Sequence, residues 1–425
     1  MNLYGFQKEV LEQSKDMKRV AYFYDMGLGK TYIGAEKMYQ LSSCANLVVC
    51  QKSKVNDWVQ HIISVYASNN NAVVFDLTAK HGIEMFLQYV DGGVPLMVVG
   101  VINYDLLFRR QELAKLKDFT LLLDESSLIQ NDTSKRSRFI LRRLKPKNVI
   151  LLSGTPTGGK YETLWSQLHL LGWDISKGEY WNRYVDFYVD TSLGFPLKKI
   201  LGYKNVEELK RRMREHGCFF KKTEDVFELP SQNFVKIEVP STREYRKFRK
   251  DNVIEIDGGF MMGDCTLTQL LMERYLCGAY NNRKIEALKT ILESTDDRVI
   301  IFYNFVKELE VLQGVCDKLD KPISLVNGEC KRLTAYENES NSVTLIQYQA
   351  GAMGLNLQKA NKIVYFTPPL SSELYEQSKK RIHRIGQDKP CFYYNLTCRD
   401  SVEEKIYATL ALRKDYTEQL FKEER

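Results

Sequence analysis

Two short stretches of the chain carry residue types suited to phosphate chemistry. The first, "YFYDMGLGKTYIGAEK" from Tyr22 to Lys37, passes from an aromatic apolar run through Gly27 and Gly29 to Lys30 and Thr31, then into helix-favouring residues. A strand, a tight glycine turn and a helix N-terminus in that order turn backbone N–H groups toward an anion. In such a loop Lys30 reaches the β and γ phosphates of a nucleotide, and Thr31 places its hydroxyl on magnesium. The strict pattern asks for Gly where Tyr24 stands, so this stretch alone also fits a plain strand-to-helix turn. The second stretch, "LLLDESS", ends an apolar run in Asp124 and Glu125. Carboxylates there are costly unless something cationic meets them. Asp124 suits magnesium coordination and Glu125 suits orienting an attacking water. Solvated loop acids are the plainer alternative. Both stretches fall at the C-terminal ends of strands in one sheet, where ligands of open α/β sheets bind, and together they favour ATP hydrolysis, with ATP and Mg2+ as cofactors.

The elements that must position these residues are legible as short β-branched or aromatic runs separated by helical patterns. "VAYFY" at 20, "NLVVC" at 46, "AVVFD" at 72, "LMVVG" at 96, "TLLLD" at 120 and "NVILLSG" at 148 are apolar on both faces, which predicts a buried parallel sheet. A second series, "RVIIFYN" at 298, "ISLVN" at 323, "SVTLIQY" at 342, "KIVYFTP" at 362 and "CFYYNL" at 391, predicts a second α/β domain. From Pro156 to Ile291 the pattern reads as helical, rich in aromatic and basic residues, with interruptions at "LGFP" (193) and "DGGFMMGD" (257).

A chain of 425 residues can hold more than one core. With 44% hydrophobic and 27% charged residues its composition is that of an ordinary soluble globular protein. No apolar run is long enough to span a bilayer and no signal-peptide pattern opens the chain, so a cytoplasmic location without membrane partners is expected. Nine cysteines form no CxxC pair and five histidines have no ligand spacing, which argues against a transition-metal site. A net charge of +7 permits a polyanionic partner without requiring one. Trp58, Trp165 and Trp181 are expected as anchors of the core or of a seam between lobes rather than as stacking platforms.

Further motifs follow in a fixed order and resemble the Swi/Snf-like branch of superfamily-two helicases and DNA translocases. "LYGFQKEVL" is similar to the adenine-reading segment, with Phe6 and Gln7 in the usual places. "DMGLGKT" is close to the family's phosphate loop, with Asp25 where Glu is usual. "LVVCQKSKVNDWVQ" matches at Asn56 and Trp58, "VVGVINYDLL" at Tyr104, and "LSGTPTGG" matches the coupling motif at Ser153, Gly154, Thr155 and Pro156. "LWSQLHLL", "CFFKKTEDVFELP", "NNRKIEALKTIL", "VIIFYNFVKEL", "AGAMGLNLQKAN", "QSKKRIHRIGQDKP" and "SVEEKIY" continue the match over nearly the whole chain. The resemblance implies an α/β fold of two RecA-like lobes with parallel sheets in tandem and helical insertions between and after them. Residues 1–230 would form the ATP-binding lobe with a helical extension, and 231–425 the second lobe with helical additions and a C-terminal helix. Gly354 would join Phe6, Gln7, Gly27, Gly29, Lys30 and Thr31 as a nucleotide-binding residue, and Gln377 would join Ser153 and Thr155 in coupling. Three departures stand out. Ser126 and Ser127 replace the usual small residue and His, so hydroxyls must rebuild the link from the acids to the coupling motif. Tyr4 stands where Arg is frequent, and "NGECKRLTAYENES" is short enough to trim one helix.

Phosphoryl transfer needs positive charge near the γ phosphate. Arg381 and Arg384 lie three apart, which predicts one helix face, and the resemblance makes them arginine fingers reaching ATP held on the other lobe. His383 is expected to pack at that helix. The DNA surface would comprise Lys52, Asn56, Asn103, Tyr104, Asn304, Phe305 and Gly351, gripping phosphates without reading sequence. "KRSRFILRRLKPK" has seven basic residues and no acid, and fits a DNA contact and a solvated helix equally. The implied function is a DNA-stimulated ATPase that translocates on double-stranded DNA and remodels protein–DNA complexes or branched DNA. Its rivals are a strand-separating DNA or RNA helicase and a nucleotide-gated clamp with little turnover. Expected partners are double-stranded or branched DNA and other replication or recombination proteins, with the chain a monomer. The compact form without appended domains suggests a bacterial or phage-infected cell.

Overall fold

The apolar runs of the N-terminal half become strands because Val, Ile, Leu and aromatic side chains can be covered on both sheet faces only inside a helix–sheet–helix sandwich. The computed structural model describes residues 3–67, 71–93, 96–192, 196–256, 258–351 and 355–421. The chain divides into two units, Met1–Val226 with Tyr416–Arg425, and Phe227–Asp415.

In the first unit the strands are β1 (Arg19–Tyr24), β2 (Ala45–Cys50), β3 (Ala72–Asp76), β4 (Met97–Asn103), β5 (Thr120–Asp124), β6 (Asn148–Ser153), the hairpin β7 (Val185–Asp190) and β8 (Leu197–Tyr203), and β9 (Cys218–Lys221). The main sheet runs β3-β4-β2-β5-β6-β1-β9 with every pairing parallel. This order sets β5, β6 and β1 side by side, so the residues at their C-terminal ends become neighbours although about a hundred positions separate β1 from β5. The helix Gly5–Gln13 is fastened beside this edge. Lys37, fully buried, donates from Nζ to the carbonyls of Ser14 and Lys15 at the end of that helix, where a cation meets the negative end of the helix dipole. The Ser14 and Tyr22 hydroxyls share a hydrogen bond of 2.7 Å.

The second unit holds β10 (Gln232–Val239), the hairpin β11 (Val253–Ile256) and β12 (Gly259–Met262), β13 (Val299–Tyr303), β14 (Ile323–Val326), β15 (Lys331–Arg332), β16 (Val343–Gln347), β17 (Lys362–Tyr365) and β18 (Cys391–Cys398). Its sheet runs β10-β18-β17-β13-β16-β14-β15, parallel except for the short β14–β15 pair. Lys284 and Glu403 form an ion pair at 2.6 Å with both side chains fully buried, tying the helix Asn282–Glu293 to the closing helix that starts at Val402. The short segment after β14 contains a helix of five residues, Thr334–Asn338.

The fold is thus two RecA-like α/β lobes in tandem. All eleven strands expected from the apolar runs are present. The helical reading of 156–291 needs correction: β9 and β10 close the edges of the two sheets, and two antiparallel hairpins stand beside the helices. β10 alternates exposed and covered residues, as an edge strand with one wet face does. The "LGFP" interruption falls largely on 193–195, and "DGGFMMGD" begins at 257; these four positions lie outside the described residues.

Candidate active site

The loop after β1 is shaped by two glycines in the left-handed region, Gly27 at φ +90° and Gly29 at φ +69°. Gly29 precedes the helix Lys30–Gln40, and a Cβ on it would come within 2.5 Å of Gln7 Nε2. Gln7 is buried and braces the loop: its amide donates to the Leu28 carbonyl at 3.0 Å, while its Oε1 accepts from the Tyr4 N–H at 2.9 Å. The half-buried Phe6 has its ring 6.3 Å from that of Tyr24. Asp25 is held from the far end of the unit, its carboxylate accepting from the Thr223 N–H at 3.1 Å and its own N–H donating to the Lys221 carbonyl at 3.0 Å. Strand β9 therefore clamps the loop, which the sequence pattern did not reveal. Lys30 Nζ donates to the carbonyls of Tyr24 (2.8 Å) and Asp25 (3.1 Å). Thr31 opens the helix one residue on.

Two strands away, Asp124 ends β5 and Glu125 follows at φ +58°, a conformation that costs an L residue about 1–2 kcal/mol. Burial pushes the carboxyls of both acids above the usual range, with the positive charge of Lys30 opposing the shift in each. Trp58, buried on the helix Val55–Val65, donates from Nε1 to Asp124 Oδ2 at 2.8 Å. Ser153 Oγ and Ser127 Oγ both donate to Glu125 Oε1, at 3.0 and 3.1 Å. Ser153 Oγ also accepts from the Thr155 N–H at 3.2 Å. Ser126 donates to Gln167 Oε1 at 2.7 Å, and the Gln167 amide donates to the Pro156 carbonyl at 2.7 Å. Of the two serines that depart from the family pattern, Ser126 thus reaches the segment Ser153–Pro156 through Gln167, while Ser127 shares the Glu125 oxygen with Ser153. A helix-start hydroxyl and two adjacent carboxyls supply oxygens suited to a hard divalent cation, and the loop lysine a charge suited to a polyphosphate.

The remaining expected residues divide between places. Lys52, Asn56 and Asn103 line one groove of about 550 Å3 with Asp76, Asp105 and Arg109. Asn103 Oδ1 is buried there without a partner among the described residues. Tyr104 is not with them: it is buried, and its hydroxyl donates to the Asp124 carbonyl at 3.0 Å, so its side chain braces the acidic turn rather than offering a surface contact. Trp58 was legible as an anchor, but its bond to Asp124 had no sequence signal.

In the second unit Asn304 donates to Thr367 Oγ1 at 2.8 Å and to the Pro368 carbonyl at 3.2 Å. Phe305 lies edge-on to Tyr275 with centroids 5.3 Å apart. Gly351 ends a short helix after β16, and Gly354 lies outside the described residues. Gln377 is buried on the helix Ser372–Lys379, where its amide donates to Glu373 at 3.3 Å. That helix stops before Arg381 and Arg384, which correct the expectation of one shared helix face. The Arg381 carbonyl accepts from the Leu357 N–H at 3.1 Å. Arg381 is buried and donates to the Leu355 carbonyl at 3.4 Å, whereas the half-buried Arg384 donates to Asn356 Oδ1. His383 is buried beside them, its Nε2 2.9 Å from the Pro230 carbonyl.

Tandem RecA-like lobes with a phosphate-type loop, an acidic strand end and a linked Ser-Gly-Thr-Pro segment are the arrangement of superfamily-two helicase-like proteins. The SNF2-related domain model matches residues 13–273 and the helicase conserved C-terminal domain matches 283–386. The chain belongs to the SNF2-related family. It is 26% identical to the mouse SWI/SNF-related matrix-associated actin-dependent regulator of chromatin subfamily A member 1, over 92% of this chain and 40% of that protein. It is 22% identical to the Bacillus subtilis protein named "Putative ATP-dependent helicase/translocase YwqA", over 94% of this chain and 46% of that one. The chain therefore spans less than half the length of these relatives. The Sulfolobus solfataricus SWI2/SNF2 ATPase core, solved in complex with dsDNA, aligns at a TM-score of 0.45 and 20% identity, covering 98% of this chain and 92% of that one. Among the described residues no helix is long and apolar enough to cross a membrane.

Proposed function

We propose that this chain is an ATP hydrolase that translocates on double-stranded DNA, using the turnover to remodel bound proteins or branched structures. One observation carries the reading: Ser127 and Ser153 donate to the same oxygen of Glu125. A single hydroxyl thus joins the acid to the segment whose Thr155 N–H it also binds. Any shift of that segment alters how well the Glu125 carboxylate is held, so a nucleic-acid contact that moves it can change the rate of hydrolysis.

In this mechanism Lys30 and the N–H groups of the Gly27–Lys30 loop bind the phosphates. Thr31 and Asp124 would supply oxygen ligands for Mg2+, which when bound would offset phosphate charge. Glu125 orients the attacking water and takes its proton at Oε1 or Oε2. Trp58 holds Asp124 against rotation. Arg381 and Arg384 are assigned the transition-state charge, Gln377 a coupling role, and Phe6 and Gln7 the nucleobase side of the site. Lys52, Asn56 and Asn103 grip duplex phosphates, with Asn304, Phe305 and Gly351 as the second unit's candidates. The SNF2 family and a relative named as a helicase/translocase support this reading. Steady-state ATP turnover at one stated salt concentration tests it: duplex DNA should stimulate more than single strands or RNA. Stimulation by RNA alone would overturn it.

A further inference from the structure

We propose that the exposed face of the helix Lys135–Arg142 forms a second phosphate-binding groove on the first unit, extending the duplex contact that begins at Lys52 and Asn56. Lys135, Arg138, Arg142 and Arg143, with Phe108 and Gln111, line a concavity of about 420 Å3. The three- and four-residue steps from Lys135 to Arg138 and Arg142 put their cations on one side, with the buried Phe139 lining the groove beside them, while Ile140 on the other side is buried and Ser134 caps the first turn. The polarity of this helix is therefore imposed by packing: the core takes the apolar side and leaves a row of charge outside.

A basic helix is ordinarily a solvated face whose cations find carboxylates nearby. The helix Val206–Glu215 behaves so, with Lys210 paired to Glu207 and both Arg211 and Arg212 paired to Glu215. Along Lys135–Arg143 the outcome differs. Among the described residues no carboxylate lies within ion-pair distance of Lys135, Arg138, Arg142 or Arg143, and all four are exposed. The one local pair, Arg136 with Asp105 at 3.6 Å, offsets the charge of the exposed acid that stands between this groove and the first. The segment Asp105–Gln111 is a shared wall, with Asp105 and Arg109 facing the Lys52 groove and Phe108 and Gln111 facing this one. From Lys135 to Arg142 the helix rises about 10 Å, which matches about three phosphates of one strand at roughly 3.4 Å of axis each. A regular anionic rod continuing from the first groove fits this row better than an acidic polypeptide.

The inference rests on reading the first unit as a duplex-tracking motor, and the test separates the two. Duplex affinity of the full chain is measured by fluorescence anisotropy over a salt series for the wild type, for Lys135→Gln/Arg138→Gln/Arg142→Gln, and for the matched-charge control Arg211→Gln/Arg212→Gln/Arg214→Gln. Each phosphate contact contributes about 0.9 to the slope of log affinity against log salt, so the groove variant should lower the slope by about two to three while the control keeps the wild-type value. Unchanged melting temperatures check that these exposed substitutions leave the fold intact. A groove variant with the wild-type slope, or a control that lowers it equally, would overturn the second groove and leave duplex binding standing. Loss of poly-glutamate binding with an unchanged duplex slope would assign the groove to an acidic polypeptide and overturn it too. Absence of duplex binding by the wild type would remove the functional reading beneath it.

Discussion

If Glu125 is the group that receives a proton during turnover, the two serine hydroxyls on its Oε1 must set the pH at which it works. Both favour the carboxylate, opposing the burial that pushes its pKa up. A hydrogen bond to a charged group is worth about 1.5–3 kcal/mol, and one pKa unit corresponds to about 1.4 kcal/mol. Ser153→Ala or Ser127→Ala should each raise the Glu125 pKa further. The sign follows from which form is lost: a less stabilised anion protonates at higher pH, so the acid limb of the turnover profile moves upward and activity recovers on the alkaline side. The two substitutions differ in one respect. Ser153→Ala also releases the Thr155 N–H, so it should weaken the response to duplex DNA, whereas Ser127→Ala should leave that response intact. The assay is the maximal rate of ATP turnover against pH with saturating nucleotide, with and without duplex. An acid limb that stays put in both variants while the rate falls equally at every pH would refute the role of these hydroxyls.

Lys30→Ala should abolish nucleotide binding or turnover, while Arg384→Ala should retain binding and lose turnover by about 10³-fold or more; equal loss of binding in both, by titration with a fluorescent ATP analogue, would contradict the finger role. A second prediction concerns Glu308, fully buried in the second unit, whose pKa is pushed up to about 7 from 4.5 by burial, against hydrogen bonds from the Asn304 and Phe305 N–H groups. The fold favours its protonated form, so its stabilising contribution is complete below about pH 4.5 and fades as pH rises to about 7, a change of about 3 kcal/mol. Urea unfolding should therefore show wild type losing ground to Glu308→Gln across that window, and a constant difference between them would disprove the assignment.

Much of the architecture was legible because buried parallel strands announce themselves as continuous apolar runs, as "TLLLD" and "VIIFY" do. β10 escaped because its alternating pattern is that of a half-wet edge, and β9 because four residues carry too little signal. The phosphate loop and acidic pair are local in sequence, so residue type and spacing sufficed to pick them out. Arg381 and Arg384 were misread geometrically, since three-residue spacing means a common face only while a helix continues, and this one stops at Lys379. Tyr104 and Trp58 act through contacts with Asp124 and Glu125 that only the packed sheet creates. The substitution of two serines after the acids demanded a hydroxyl link; Ser126 finds it in Gln167, and Glu125 itself is met by Ser153, both supplied by tertiary structure.

Displacement of a third strand from triplex DNA tests the proposed translocation most directly. The wild-type chain should release it with ATP, and neither ADP nor the Lys30→Ala variant should support release. Brisk duplex-stimulated turnover with the third strand left in place, or release that needs no ATP, would contradict movement along the duplex.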